Sequence, residues 1–307
     1  TGIDWLDEPQ NLEKMNNAGL LYPLRKFLYK YQLESIKKVS ANIGTQKCDR
    51  EVFKSHDIDF KFHLYPQYYP YVFSSKEKDA LANFNLSKEL AENGVPIFNN
   101  TYLKVFSFMR QFWVRPSSLS SNQWLTVSKR NDVLIYGFSM FAKTEQGANS
   151  RLFLVDWGDD VLASKKLIRD LCIEDKVVWI PLLPRKLITL ILQDYADVAI
   201  GQLTTGDGTL WGSTTWECLA SGIPLIQSMP SNMYLDYGLA DDLITFDCHK
   251  ASDIYKSLSC ISNDLVEAKK SSHSNSYWFN KLMLNSVVPQ IRDLILGLYE
   301  QKALFGD

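Results

Sequence analysis

Cysteine is scarce and unpatterned. There are five in 307 residues (Cys48, Cys172, Cys218, Cys248 and Cys260), an odd number, with no C-x2-C pair and no histidine at ligand spacing. A disulfide framework and a cysteine-built metal site are excluded, and the thiols are expected to be reduced and mostly in the core. Neither sign of charge is in excess, since 33 Lys and Arg stand against 35 Asp and Glu, and the formal charge of −2 is spread along the chain. Binding DNA or RNA needs a positive footprint, so no nucleic-acid partner is expected. No apolar run approaches the ~18 residues of a membrane span. The longest, at 187–192, is broken by Thr189 and followed by Gln193 and Asp194. Histidine is equally sparse: His56, His63, His249 and His273 are scattered, which argues against a metal cluster or a His-based triad. There is no G-x-S-x-G elbow, no phosphate-loop motif, no internal repeat and no low-complexity tract.

What remains is an ordinary globular composition, 46% hydrophobic, 13% aromatic and 22% charged. At ~100 to 200 residues per domain the length predicts two domains, each able to bury its own core. The first residue is Thr1, with neither an initiator Met nor a signal sequence, so a piece of a longer protein is expected.

The second half alternates short apolar runs with helical patterns, the signature of βαβ units and a parallel sheet. Strands are predicted at 105–109, 151–155, 176–180, 197–200 and 224–227, with a sixth at 242–246. Helices are predicted between them at 132–141, 163–171, 185–195, 213–220 and 252–260. The first ~75 residues carry less of this material: a basic aromatic helix at 20–38, a strand at 39–43, a helix at 46–55 and a strand at 60–65. A stretch rich in Pro and Tyr (Tyr65, Pro66, Tyr68, Tyr69, Pro70, Tyr71) cannot continue a helix and reads as a crossing between domains. Helices follow at 79–92 and, with a Pro near its start, at 289–302.

The densest chemical signal is 196–226, ADVAIGQLTTGDGTLWGSTTWECLASGIPLI: a buried strand, a glycine-rich loop, a short helix stopped at Gly222, and a strand opened by Pro224. A glycine-rich turn feeding a helix presents unpaired N–H groups and a positive dipole end, which together bind phosphate. Gly206, Gly208 and Gly212 have a dinucleotide-like G-x-G-x3-G spacing, but a dinucleotide turn follows its strand directly and five residues separate Gly206 from Ile200. The next strand ends in Gln227 and not in a ribose-binding acid, which counts against an NAD site.

Residues 211–226 (WGSTTWECLASGIPLI) resemble the FG-x4-EAMACGxPVI signature of retaining GT-B glycosyltransferases, family 4 in particular. Other stretches resemble the same family in the same order. Residues 106–110 (FSFMR) are similar to its strand ending in Arg, 129–134 (KRNDVL) to its KGND-x-L helix start, and 152–160 (LFLVDWGDD) to its LVLVGDG strand and turn. So are 173–179 (IEDKVVW) and 195–198 (YADV), while 35–70, ending in FHLYPQYYP, resemble the tail of the family's N-terminal domain. The resemblance implies an α/β, GT-B-like chain. A Rossmann-like doubly wound parallel sheet would form a donor-binding domain at 73–288, with part of an acceptor-side domain at 1–72 and a terminal helix at 289–307 returning to it.

It also implies a hexosyltransferase-like enzyme that moves a sugar from a UDP- or GDP-linked donor to a hydroxyl of a carbohydrate or glycoconjugate acceptor, with retention, without a metal and without a cofactor. Arg110 and Lys129 would meet the donor diphosphate, where a guanidinium fork and an ammonium stabilise the leaving group's charge. Glu217 would take the ribose hydroxyls, and the backbone of Gly212, Ser213 and Thr214 would hold phosphate. The family's acid eight residues before Glu217 is replaced by Thr209, which can hydrogen-bond a sugar but cannot balance an oxocarbenium charge; Asp207 is the nearby substitute. The Gly of the family's Lys-Gly pair is Arg130, a second possible phosphate cation. On the acceptor side, Gly2 and Asp4 would lie at the cleft edge. A catalytically degenerate nucleotide-sugar-binding or partner subunit is the competing reading.

Local alternatives stand beside these roles. Thr214-x-x-Glu217 fits a capping box, which would return the carboxylate to a backbone N–H. Asp156, Asp159 and Asp160 read as a solvated turn and lack the spacing of a calcium loop. Trp216 reads as core, and Trp211 as core or sugar pocket. Arg25, Lys26, Lys30, Lys37 and Lys38, interleaved with Phe27, Tyr29 and Tyr31, read as a solvated face or as a rest on anionic lipid. The implied location is cytoplasmic, with peripheral membrane contact if the acceptor is lipid-linked.

Overall fold

The structure, a computed structural model, describes residues 85–97, 103–203, 212–229, 243–282 and 288–305, together with 34, 43–44, 54, 57 and 61–62. The chain divides into two compact units, Thr1–Tyr65 with Met283–Asp307, and Pro66–Leu282. In the first unit Ile43–Gly44 pairs in parallel with Lys61–Phe62. The proposed basic face at 20–38 lies outside the described residues apart from Glu34.

The second unit is built on a six-stranded parallel sheet. Its strands are β1 (Lys104–Ser107), β2 (Arg151–Val155), β3 (Val177–Ile180), β4 (Val198–Ile200), β5 (Leu225–Gln227) and β6 (Phe246–Asp247). Their order across the sheet is β3-β2-β1-β4-β5-β6, every neighbour parallel. Strands covered on both faces must be apolar almost throughout. So they are: Val105, Phe106, Leu152, Phe153, Leu154, Val155 and all of β4 and β5 are buried. An order that runs outward in both directions from β1 is that of a doubly wound Rossmann-like domain, with its topological switch point between β1 and β4.

The helices are α1 (Leu86–Glu92), α2 (Ser121–Val127), α3 (Asn131–Ala142), α4 (Val161–Asp170), α5 (Arg185–Leu190), α6 (Ser213–Ser221), α7 (Ala251–Asn263) and α8 (Leu265–Leu282), with α9 (Val288–Phe305) belonging to the first unit. No described helix is long and apolar enough to cross a membrane. The predicted helix at 185–195 is α5 followed by a π-helical turn, Ile191–Tyr195. Gly222 ends α6 in the left-handed region, at φ +73, where a Cβ would be strained.

Two features depart from the sequence reading. Helices α2 and α8 were not anticipated. Among the four described cysteines, only Cys218 and Cys248 are buried, while Cys172 and Cys260 are exposed; all four are free thiols. At the amino end of the sheet, Asp197 gathers the backbone N–H of Lys104 (2.9 Å), the Lys104 ammonium (2.8 Å) and, from α8, the Lys269 ammonium (2.6 Å). A carboxylate only 7% exposed is costly to bury without such partners.

Candidate functional site

The carboxyl ends of β1 and β4 diverge at the switch point, and a cleft of about 470 Å³ opens there. After β1 the chain runs through Phe108 and Met109 to Arg110, and then is held on two sides. On one side the turn after β2 takes it: Gln111 N–H donates to the Trp157 carbonyl (2.8 Å), and Asp160 N–H donates to the Gln111 carbonyl (3.1 Å). Asp160 then accepts through Oδ2 from the backbone N–H groups of Trp113 (2.6 Å) and Val114 (2.9 Å). On the other side the start of α3 takes it: Phe112 N–H donates to Asn131 Oδ1 (3.0 Å), and Lys129 N–H donates to the Phe112 carbonyl (2.7 Å). These bonds bring Arg110 and Lys129, nineteen residues apart, to one wall. The Arg110 guanidinium lies 4.5 Å from the centre of the Phe112 ring, a cation–π contact that fixes its direction.

The opposite wall is the start of α6. Its cap residue, Gly212, donates its N–H to Gln202 Oε1 (2.8 Å), and the helix has no side-chain cap. Uncapped first-turn N–H groups at a helix N-terminus are an anion site in waiting. Glu217 stands one turn further along, and its Oε1 accepts from Arg185 Nη2 (2.8 Å) and Nε (3.1 Å). Arg110, Lys129, Gly212, Ser213, Thr214 and Glu217 therefore line a single cleft. Thr209, Asp207, Gly2, Asp4 and Trp211 lie outside the described residues.

The electrostatics follow from burial. Lys129 is held below the usual lysine range, first by burial and then by the neighbouring Arg110 charge. Glu217 is pushed up by burial, against which the charge and hydrogen bonds of Arg185 pull it down. A concave wall carrying two cations that repel each other is relieved by a doubly charged anion between them.

Three local expectations need correction. Helix α6 begins at Ser213, so Thr214 and Glu217 sit inside it and the capping box does not form; the carboxylate is bound by Arg185. Arg130 is not among the cleft-lining residues. Its guanidinium turns to Asp132 (3.5 Å), while its backbone stands at φ 50, ψ 38, the left-handed conformation a glycine takes at no cost. Arg130→Gly is therefore expected to raise stability by ~0.5 to 1 kcal/mol in chemical denaturation and to leave nucleotide affinity unchanged, whereas a phosphate-binding Arg130 would lose affinity. Of the three turn acids Asp156 and Asp159 are exposed, Asp156 pairing with Lys165 (2.8 Å), but Asp160 is no solvated turn residue: it holds the loop that carries Arg110. No group of three or more His, Cys, Asp or Glu converges on a metal-sized site among the described residues.

Sequence reasoning missed Arg185, Gln202 and Trp157. Arg185 opens a helix just after a strand, the same kind of place that singled out Lys129, so the signal was present. Trp216, expected in the core, is 1% exposed and packs near Phe279.

Sheet order and switch-point cleft are those of a doubly wound Rossmann-like domain, and the solved structures that share this fold are glycosyltransferases. No protein-family model matches the chain, and neither does any curated protein. Solved structures do match. HepE from Anabaena, in complex with UDP-glucose, aligns over 87% of this chain and 67% of its own, at TM-score 0.58 and 13% identity. Sucrose-phosphate synthase from Thermosynechococcus elongatus aligns over 89% of this chain and 62% of its own, at TM-score 0.56 and 12% identity. WaaG, a glycosyltransferase involved in lipopolysaccharide biosynthesis, aligns over 93% of this chain and 72% of its own, at TM-score 0.55 and 14% identity. Likeness at these identities is likeness of fold, and this chain spans about two thirds of the length of HepE.

Proposed function

We propose that the cleft binds the diphosphate of a nucleotide sugar and that the protein transfers the sugar to a hydroxyl of a carbohydrate or glycoconjugate acceptor with retention of configuration, as a family 4-like GT-B glycosyltransferase. The observation that carries this reading is the convergence of Arg110, Lys129, the uncapped start of α6 and Glu217 on one cleft at the switch point. In the transfer the bond between the anomeric carbon and the diphosphate oxygen breaks, and its electron pair leaves with the diphosphate. The acceptor oxygen forms the new bond to that carbon, and its proton passes to the departing phosphate. Arg110 and Lys129 stabilise the charge that grows on the leaving group, a task for which other enzymes use a divalent metal; we therefore read the transfer as metal-independent. Glu217 accepts from the ribose, and the N–H groups of Ser213 and Thr214 hold phosphate.

HepE and sucrose-phosphate synthase share the fold, and HepE is described with UDP and glucose, which favours a UDP-linked donor for this chain as well. Thr209, standing where the family places a carboxylate, favours the second reading: a subunit that binds the nucleotide sugar without turning it over. Calorimetry of the full-length protein with UDP and with GDP, followed by an assay of donor hydrolysis and transfer, separates the two. Binding with turnover is expected. Binding without turnover supports the degenerate subunit, and binding of neither nucleotide overturns both. The acceptor-side portion, residues 1–72 with the terminal helix, and a cytoplasmic place near membranes complete the proposal.

A further inference from the structure

The cleft holds one ion pair to which the donor reading assigns no task. Arg185 opens α5 just past the carboxyl end of β3, and Glu217 lies in the second turn of α6. The guanidinium donates through Nε and Nη2, and both bonds end on the same oxygen, Oε1. In the usual fork an arginine covers both carboxylate oxygens. Here Oε2 takes no hydrogen bond from a described residue. The carboxylate is 8% exposed and the guanidinium 49%, so the acid is the buried partner and the base reaches it from the rim. Both side chains line the cleft.

We propose that Arg185 is a positioning residue for the donor: it fixes Glu217 through Oε1 and so leaves Oε2 aimed at the cleft to accept a ribose hydroxyl. The proposal rests on the nucleotide-sugar reading of the cleft. Without a partner, a carboxyl buried in this wall would rotate away from the ligand or take up a proton. Burial pushes Glu217 towards the protonated form, and Arg185 alone opposes it. The other charged groups lining the cleft, Arg110 and Lys129, belong to the far wall. Cys218, next along α6, is buried, and burial followed by the Glu217 charge pushes its thiol far above the usual range, so it stays neutral. From α8, His273 faces Gly222 at the far end of α6. A protonated Glu217 offers the ribose one acceptor fewer, so nucleotide affinity falls as pH drops through the pKa of this carboxyl. Removing Arg185 must move that fall to higher pH.

The test is calorimetry of the full chain with UDP, with GDP in parallel, and with inorganic pyrophosphate, which has no ribose, from about pH 5 to pH 8. Arg185→Ala is expected to weaken the nucleotide about tenfold and pyrophosphate by less than about twofold, and to shift the acid limb of nucleotide binding upward. Arg185→Lys should restore part of the loss. In a Glu217→Gln background Arg185→Ala should have no further effect, since the residue acts through that carboxylate. An equal loss for nucleotide and pyrophosphate would make Arg185 a phosphate cation, and an unshifted acid limb would make the pair idle; either overturns the proposal. Failure of the donor reading looks different, because the unaltered protein then binds neither nucleotide.

Discussion

Lys129→Ala is expected to abolish transfer, lowering turnover by at least ~100- to 1000-fold, while the protein keeps its fold and melts at or above the temperature of the unaltered chain. The two halves of this expectation come from one fact. Lys129 is half-buried beside Arg110, and both burial and that like charge disfavour its ammonium. In the ligand-free protein the charge is therefore a cost, and deleting it relieves the cost. In the proposed complex the same charge would face a diphosphate, whose negative charge reverses the sign. Because the folded-state pKa lies below the unfolded one, the folded protein binds fewer protons between those two values, and ligand-free stability rises with pH across that window. Diphosphate affinity runs the other way: it is fully present while Lys129 is protonated, and it declines as pH rises through the lowered pKa, before an ordinary lysine would titrate. Lys129→Met, which keeps the aliphatic stem, should raise the melting temperature by a few degrees and still lose nucleotide binding. Melting and calorimetry on the same samples check both halves. Full turnover in either variant removes the leaving-group role.

The sheet was legible because its physics is local. Strand β2 is predicted and found at 151–155, since a strand covered on both faces shows itself as an apolar run whatever its neighbours. Arg110 and Lys129 were legible as a strand end and a helix start, and Gly222 as a stop. Helix α8 was not, and its sequence explains why. The residues it buries are Ser272, Asn275 and Phe279, which recur at helical spacing but are mostly polar, so hydrophobic periodicity is silent. Asn275 earns its place by hydrogen-bonding: Oδ1 accepts from Ile244 N–H (2.9 Å) and Nδ2 donates to the Ile244 carbonyl (2.7 Å), as a neighbouring strand would. Arg185 shows a different limit. Its position at a helix start was readable, but its partner lies thirty-two residues away, and only the order of strands brings the two together. The capping-box reading of Glu217 failed for the related reason that its local pattern was right and the helix began two residues too early, with Gly212 and not Thr214 as its cap.

Gly158→Ala is expected to destabilise the protein by about 3 kcal/mol and to weaken nucleotide binding, although the residue does not line the cleft. Its φ is +122, a region that side chains rarely adopt, and a Cβ there would stand 2.4 Å from the Gln111 carbonyl oxygen and 2.6 Å from the Gln111 nitrogen. Both atoms are backbone, so no side-chain rotation relieves the overlap. The turn after β2 must move away from the loop after β1, or that loop must move. Either displacement breaks the bonds that Gln111 makes with Trp157 and Asp160, the same bonds that hold the loop carrying Arg110. The third close atom is Arg110 Cγ, at 2.8 Å, so the side chain proposed to bind the diphosphate is itself pushed. Loss of stability and loss of affinity are thus coupled through one contact, which distinguishes this glycine from one that is merely conformational. Gly297 supplies the contrast. It sits within α9 with nothing within 4 Å of an added Cβ, and Gly297→Ala should gain ~0.5 to 1 kcal/mol from helix propensity with affinity unchanged. Denaturant unfolding and calorimetry on the two variants measure the pair. A Gly158→Ala protein that is destabilised but binds nucleotide as tightly as before would mean that Arg110 does not depend on this turn for its placement.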